Sequence, residues 1–569
     1  MRLRLACRTR RLTTVALSLS LIGACSLAPL QIDSKAAAPV IDGFGASTLQ
    51  PARANDAARM LFAQGMAQVY AFNNAEAIRA FKAALAQDPD CGLCAWGVAY
   101  QLGPDINRPK RGDLAEAKRY VDYALRHSDG ASARDQALIA SLALRYAHSS
   151  TVRETAPLTA ELCGGAGGDR ADPLDIAYAD RMRELARRYP GDPDVLSIYA
   201  EAEMVATHEI WWDPVTGKPA GRIGELADQI QAALEQHPTH VGLNHYMIHA
   251  VDALPVARRA EAAADRLGAL APKSPHLLHM PSHTFGLLGR YADATRANQL
   301  AVAADAALEQ ELKRQNFANT KDWRGHNLHF QWYAALMEGR TELALETART
   351  LAGRSKGDHE FGEYWRSIPM LTLLRLQRWD ALLSEPMPGG ERGMATVMGE
   401  MARGIALARN GRVDDARASL ARLDMAAEPL LKKFATQDRT HKAVRSLTGT
   451  AQLQLRAEIA LAAQQDDAAL ALQAQAISAA VDADDMMEPP MLASAPRQRL
   501  GAMQMQVKRH ADAERTYRAD LAAHPASGWA LQGLSKALAA QGRQTEARAV
   551  NGELEQSWGQ ADRNLRAER

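Results

Sequence analysis

Aromatic residues make up only 5% of this 569-residue chain, although 47% of it is hydrophobic. The apolar content is therefore mostly Ala and Leu, which favours close-packed helices over aromatic-rich strands. Excess charge of one sign is also lacking: Lys and Arg number 67 against 66 Asp and Glu, a formal net charge of +1. No strong field draws the chain to nucleic acid or to acidic lipid. Beyond the first residues, no apolar run approaches the length of a membrane span. The chain has no phosphate-binding glycine loop, no dinucleotide fingerprint, and no nucleophilic serine with recognisable partners. These absences exclude the commonest nucleotide and acyl-transfer chemistries and leave an elongated helical chain whose purpose lies in a few unusual residues.

The first 25 residues have the build of an export signal. Arg2, Arg4, Arg8, Arg10 and Arg11 precede the short apolar run "VALSLSLIGA" and then Cys25, giving a charged region, an apolar core and a small-residue processing site. "IGAC" resembles a bacterial lipobox, whose cysteine becomes the lipid-bearing first residue. Ser26 after it, rather than Asp, implies the outer membrane by the same rule. A twin-arginine signal in "TRRLTT" and a soluble periplasmic protein are the alternatives. Residues 26–56 are expected to form a polar tether.

Internal periodicity organises the remainder. In "GMAQVYAFNNAEAIRAFKAALAQDPD", Gly65, Ala77, Phe81, Ala84 and Pro89 fall at positions 8, 20, 24, 27 and 32 of a 34-residue helix-turn-helix unit. The pattern resembles the tetratricopeptide repeat. It recurs from Ser494, with Ala513, Tyr517 and Pro525, and from Gly528, with Leu534, Gly542 and Ala547. Further units begin near Pro193 and Val397. Small residues mark close helix approaches and prolines close second helices. The expectation is an all-α fold, one right-handed superhelix over residues 57–565. Loops interrupt it at 103–113, 150–173, 211–224 and 309–324.

Histidine is where the repeat departs from a plain scaffold. The chain has 16, and three lie within "HLLHMPSH". Pro272 closes one unit, so the next begins at Pro275 and the one before at Val241. His245 and His249 then take positions 5 and 9 of the first, and His276, His279 and His283 take positions 2, 5 and 9 of the second. Gly339 and Ala344 anchor the following unit at Gly325, placing His326, His329 and Tyr333 again at 2, 5 and 9. The spacing i, i+3, i+7 is one stripe along a helix. The tetratricopeptide resemblance implies that this stripe lines the concave groove, here within residues 193–340. His245/His249 and His279/His283 are H-x-x-x-H pairs, a spacing that can aim two imidazoles at one Zn or Cu ion. His276, His326, His329 and Glu201 are possible further ligands. Neither pair carries the glutamate of H-E-x-x-H, so peptidase chemistry is not indicated. The alternative is a set of neutral imidazoles that satisfy one another or hold a peptide. Pro281, inside the second stripe, should interrupt the helix between His279 and His283.

Other residues were placed by the same register. Trp96 and Tyr100, at positions 5 and 9 of an earlier unit, and Asp252, at position 12 of the Val241 unit, are expected to face the groove. Trp211 and Trp212, in a loop insertion, suggest a lid or stacking surface. Cys91 and Cys94 form C-x-x-C at a helix start: a disulfide, a redox pair, a soft-metal site, or pairing of one of them with Cys163. No His follows, which excludes haem attachment. The segment "DDMMEPPML", with Glu488, Pro489 and Pro490, is a break between repeats; it could fold back over the groove, but nothing in the sequence fixes that.

Together "CGLCAWGVAYQLGPDIN", "GLNHYMIHAVDA", "HLLHMPSH", "GHNLHF" and "YRADLAAHPASGWALQGL" resemble a bacterial family of exported tetratricopeptide-repeat proteins. The resemblance implies the fold and the export but no reaction. Thr284 departs from it, where a larger apolar residue is expected. Two functions follow. One is an outer-membrane-anchored, periplasm-facing scaffold that binds a peptide, protein or small ligand in the His-lined groove. The other is a Zn- or Cu-dependent enzyme or metal-binding protein built on the paired H-x-x-x-H motifs.

Overall fold

The computed structural model describes residues 30–107, 114–147, 172–207, 211–213, 216–318, 323–355, 359–436, 439–486, 488–491, 495–563 and 565. Among them the secondary structure is helical, with one isolated bridge between Trp212 and Pro219. No helix among the described residues is long and apolar enough to cross a membrane. The expected signal, with Cys25, and Cys163 lie outside the described residues.

The helices begin where the sequence supplies caps. Asn55, Ser132 and Ser274 accept from backbone N–H groups three residues on, and Asp192 caps a helix whose first residue is Pro193. Such side chains satisfy the free first-turn donors, and proline at the first helical position loses nothing. Consecutive helices then pack as antiparallel neighbours: Asp56–Tyr70 on Asn74–Gln87, Gly92–Leu102 on Leu114–Arg126, and so on to Gly528–Ala540 on Gln544–Ser557.

The predicted register is visible in how glycines seat aromatic rings. A Cβ on Gly65 would meet the Phe81 ring at 2.5 Å, and one on Gly97, in the next unit, would meet the same ring at 2.7 Å. Near the other end Tyr517 sits in the same way between Gly501 and Gly533. One large residue at position 24 thus wedges between two helices that only glycine lets approach. The fold is the all-α tetratricopeptide solenoid that the spacing predicts.

Three features depart from a simple array. First, residues 30–55 are packed, not a free tether. Leu49 is fully buried, Ser47 and Thr48 donate to Asp194, and the Lys273 N–H donates to the Gly43 carbonyl. Asp194 also accepts from Tyr70 and pairs with His240. Burial alone would raise this carboxyl, but the His240, Thr48 and Tyr70 contacts outweigh it and hold Asp194 at about 2. A buried carboxylate needing several donors fixes the arm that brings them. Second, the expected loop at 309–324 starts as helix, because Tyr291–Arg314 runs on into it. Gln315, just beyond, exchanges hydrogen bonds with the Val40 backbone. Third, the last repeats return to the middle of the chain: Trp529 and Trp558 donate their indole N–H groups to the carbonyls of Leu336 and Met337.

Candidate metal centre

The histidine stripe is carried by three first helices in succession. Val241–Ala250 holds His245 and His249, and its start is capped by the His240 ring, which accepts from the Leu243 N–H. The next stripe is split, as Pro281 predicts, into Pro275–His279 and Pro281–Leu287. A proline there cannot donate to the Leu277 carbonyl. Arg324–Glu338 carries His326 and His329. All seven histidines are at most 4% exposed, and Thr284 is buried behind them.

Six of the seven converge in two cups. In the first, His245 Nε2 lies 3.0 Å from His249 Nε2 and 3.1 Å from His276 Nε2. In the second, His279 Nε2 lies 3.0 Å from both His283 Nε2 and His326 Nε2. Each cup is therefore built from positions 5 and 9 of one unit and position 2 of the following one, and each closes across a repeat joint. The sequence offers His245, His249, His279 and His283 as paired candidates with His276 and His326 as possible further ligands; in the structure the two pairs separate, and His276 and His326 each complete a cup. Position 5 of one helix faces position 2 of the next, whereas position 5 of that next helix lies one turn further along. His276 and His326 are therefore full members, and the four paired histidines divide between two sites. The cups adjoin, with the His276 and His279 rings 6.1 Å apart on one helix.

Hydrogen bonds behind the second cup decide which ring nitrogens carry protons. His279 Nδ1 lies 2.7 Å from Asn298 Oδ1, and the Asn298 amide nitrogen is committed to the Ala294 carbonyl. His283 Nδ1 lies 2.9 Å from Asp252 Oδ2 and 3.4 Å from Glu488 Oε2. An amide oxygen and carboxylates only accept, so both Nδ1 atoms donate, and when the two rings are neutral their Nε2 lone pairs face each other at 3.0 Å. Burial pushes the His279 ring well below the usual histidine range, so this ring leaves its Nε2 free to accept or to ligate. A ring nitrogen has one in-plane valence, so in either cup the central Nε2 cannot bond to both neighbours. In the first cup His245 is pushed down to about 3, chiefly by burial, and His249 well below its ordinary value for the same reason. Three convergent Nε2 atoms are a donor set for a transition-metal ion, and the carboxylate behind His283 is the usual orienting partner of such a ligand.

Each cup has a phenylalanine lid. The Phe72 ring lies 4.5, 5.5 and 5.0 Å from the rings of His245, His249 and His276, and the Phe330 ring lies 4.5, 4.6 and 4.9 Å from those of His279, His283 and His326. Trp323 also stacks on His276 at 4.3 Å.

The other predicted site residues fall elsewhere. His329 is buried in the third rung against Trp332, Tyr364 and Trp365 and joins no cup. Tyr333, where a ligand would be needed beside it, is half-buried near Tyr291 and Arg375. Glu201 belongs to neither histidine cup: it accepts from Tyr100, and burial raises it to about 8, with Tyr246 opposing. Trp96 is fully buried, stacked on Tyr100 at 5.1 Å, so this pair lies inside the molecule and not on an open groove wall. Asp252 supports His283. Trp212 is a buried strut whose N–H holds the Ala250 carbonyl at the end of the first histidine helix, while Trp211 donates to Thr207. Cys91 and Cys94 form a disulfide at the start of Gly92–Leu102. Glu488, in the break at "EPPML", lies 3.4 Å from His283 Nδ1. Sequence reasoning missed Phe72, Asn298 and Phe330. Only Phe330 left a signal, as the apolar neighbour of His329 in "HNLHF".

No protein-family model matches this chain, and no curated sequence matches it. Among solved structures it is similar to the human IFIT1 dimer with m7Gppp-AAAA, at 10% identity over 82% of this chain and 90% of that one, TM-score 0.32. It is also similar to yeast Tom70, at 12% identity over 88% and 91%, TM-score 0.29. The P58(IPK) TPR domain matches at 12% identity over 69% and 99%, TM-score 0.17.

Proposed function

We propose that this protein is a tetratricopeptide-repeat metalloprotein that holds two transition-metal ions, one in each three-histidine cup. The observation that carries the reading is the convergence of the His279, His283 and His326 Nε2 atoms, with 3.0 Å from His279 to each of the others, while Asn298 and Asp252 hold the Nδ1 protons of His279 and His283. Neutral rings held in this way turn their lone pairs on one another, a contact that a metal cation between them relieves. Zn and Cu both suit imidazole ligands. The H-x-x-x-H spacing supports the reading independently, since each pair supplies two ligands of one cup.

A peptide fits this stripe less well, because the imidazoles are buried beneath aromatic lids. The scaffold meets protein or peptide partners through its exposed surfaces, and the stripe serves the metal. Cys25 carries the lipid, and the protein faces the periplasm from the outer membrane. The lipobox-like "IGAC" and the Cys91–Cys94 disulfide, which suits an oxidising compartment, support that placement.

The test is elemental analysis of protein expressed from Ser26 onward, loaded with Zn or Cu and freed of excess. Loaded with the two metals together, the chain is expected to hold two equivalents of metal in all, and at least one with either metal alone, falling to none in the double variant His245→Ala, His279→Ala. A wild-type protein that retains no stoichiometric metal after loading overturns the reading.

A further inference from the structure

The two cups share a ligand plan but not a charge environment. Around the His245 cup the contacts are aromatic: Phe72 stacks on His249 and His276 and lies tilted against His245, Tyr246 stacks on His245 at 5.5 Å, and Trp323 on His276. Its ligands are three neutral imidazoles, and no carboxylate shares a three-residue metal-ligand grouping with them among the described residues. Glu201, on that side, is engaged by Tyr100. Asp252 acts on His249 only through space. Around the His279 cup, Asp252 and Glu488 both reach His283 Nδ1, and Asn298 orients His279.

Resting on the metalloprotein reading, we infer that the cups take ions of different charge: copper(I) in the His245 cup and a divalent ion, zinc, in the His279 cup. The cost of placing an ion in a dry interior grows with the square of its charge, so a monovalent ion costs about a quarter of what a divalent one does before compensation. Among the described residues no carboxylate joins the three imidazoles beneath the aromatic rings to offset the second charge of a divalent ion. Copper(I), a softer ion of single charge that imidazole suits, depends less on such a carboxylate. In the second cup the Asp252 and Glu488 carboxylates draw the His283 Nδ1 proton toward themselves. This makes His283 a stronger donor and places negative charge where a divalent ion needs it.

The experiment loads the apo-protein anaerobically with copper(I) and zinc(II) together, removes excess, and counts both metals. One copper and one zinc per chain are expected, with the copper K-edge reporting copper(I). Titration of separate apo-protein with cobalt(II) should saturate at one equivalent, a measurement that needs no variant. His249→Ala should then lose the copper and keep the zinc, and His283→Ala the reverse. Two ions of one element per chain, two equivalents of cobalt, or the opposite variant pattern overturns the charge assignment while leaving two occupied cups intact. Retention of no metal overturns this inference together with the reading it rests on.

Discussion

The His245 and His279 cups are the same device built twice and finished differently. Both take positions 5 and 9 of one repeat and position 2 of the next, and both lie under a phenylalanine. Behind one stand aromatic rings, and behind the other stand Asp252, Glu488 and Asn298. The ligand geometry follows from the repeat period, because a 34-residue unit returns the same face of each first helix to the same place. The surroundings come partly from variable positions within the units, at Phe72, Asp252 and Asn298, and partly from segments between them, the Trp323 approach and the Glu488 segment. A repeat can thus copy a binding site while its variable positions and insertions give each copy its own surroundings.

The largest expected effect comes from removing the central ligand of one cup at a time. His245→Ala should abolish the first site and leave the second, and His279→Ala the converse, each with at least about a thousandfold loss of affinity at its own cup. Two-site calorimetric titration of both variants checks this. If either change empties both cups, the sites are one unit and the comparison collapses. Truncating the lids should rank next. Phe72→Ala and Phe330→Ala remove buried rings that touch every ligand of their cups, so each should cost about 3 kcal/mol of stability and weaken metal at its own cup by admitting water. Chemical denaturation of the apo-proteins separates the packing loss from the metal effect.

How far the sequence exposed this arrangement depends on what the repeat controls. Gly65, Phe81, Gly501 and Tyr517 announced the helical array, since close helix approach needs small residues at fixed spacing. The stripe of His245, His249, His276, His279, His283 and His326 was legible in the same register. The partition into two cups was not. It depends on which turn of one helix lies opposite which turn of the next, and one-dimensional spacing leaves that open. Phe72 was invisible because its contacts with the first cup join distant parts of the chain without a period, and Asn298, only 19 residues from His279, because a single amide on the following helix Tyr291–Arg314 carries no pattern. Residues 30–55 read as a tether on composition, yet four donors converging on Asp194 hold them against the array.

A smaller and more selective effect should follow from neutralising the outer partner. Asp252→Asn keeps the size of the side chain and removes the carboxylate that orients His283. Affinity at the second cup should fall by about 10- to 100-fold, with the first cup unchanged within error. Competition with a chromophoric chelator measures both sites in one titration. An equal fall at both cups would mean that Asp252 serves the whole stripe, and the distinction between apolar and carboxylate-backed cups would have to be withdrawn.

The third rung supplies the control with no expected effect on metal. His329 holds position 5, as His245 and His279 do, but it is packed against Trp332, Tyr364 and Trp365, with no cup around it. His329→Leu should leave both metal equivalents in place. Its consequence belongs to pH. Burial lowers His329 from 6.5 to about 3, so the folded state holds this ring neutral while the unfolded chain takes up a proton below about pH 6.5. Stability is therefore complete above that pH and drains away as pH falls from 6.5 toward 3, by about 2 kcal/mol at pH 5 for one such group. Replacing the imidazole with an apolar side chain removes the term, so the apo-variant should lose about 2 kcal/mol less than the wild type between pH 7.5 and pH 5. Denaturant melts at the two pH values give that difference directly. An unchanged pH dependence would show that His329 is charged or solvated in the folded protein, and that position 5 is not sealed in every rung.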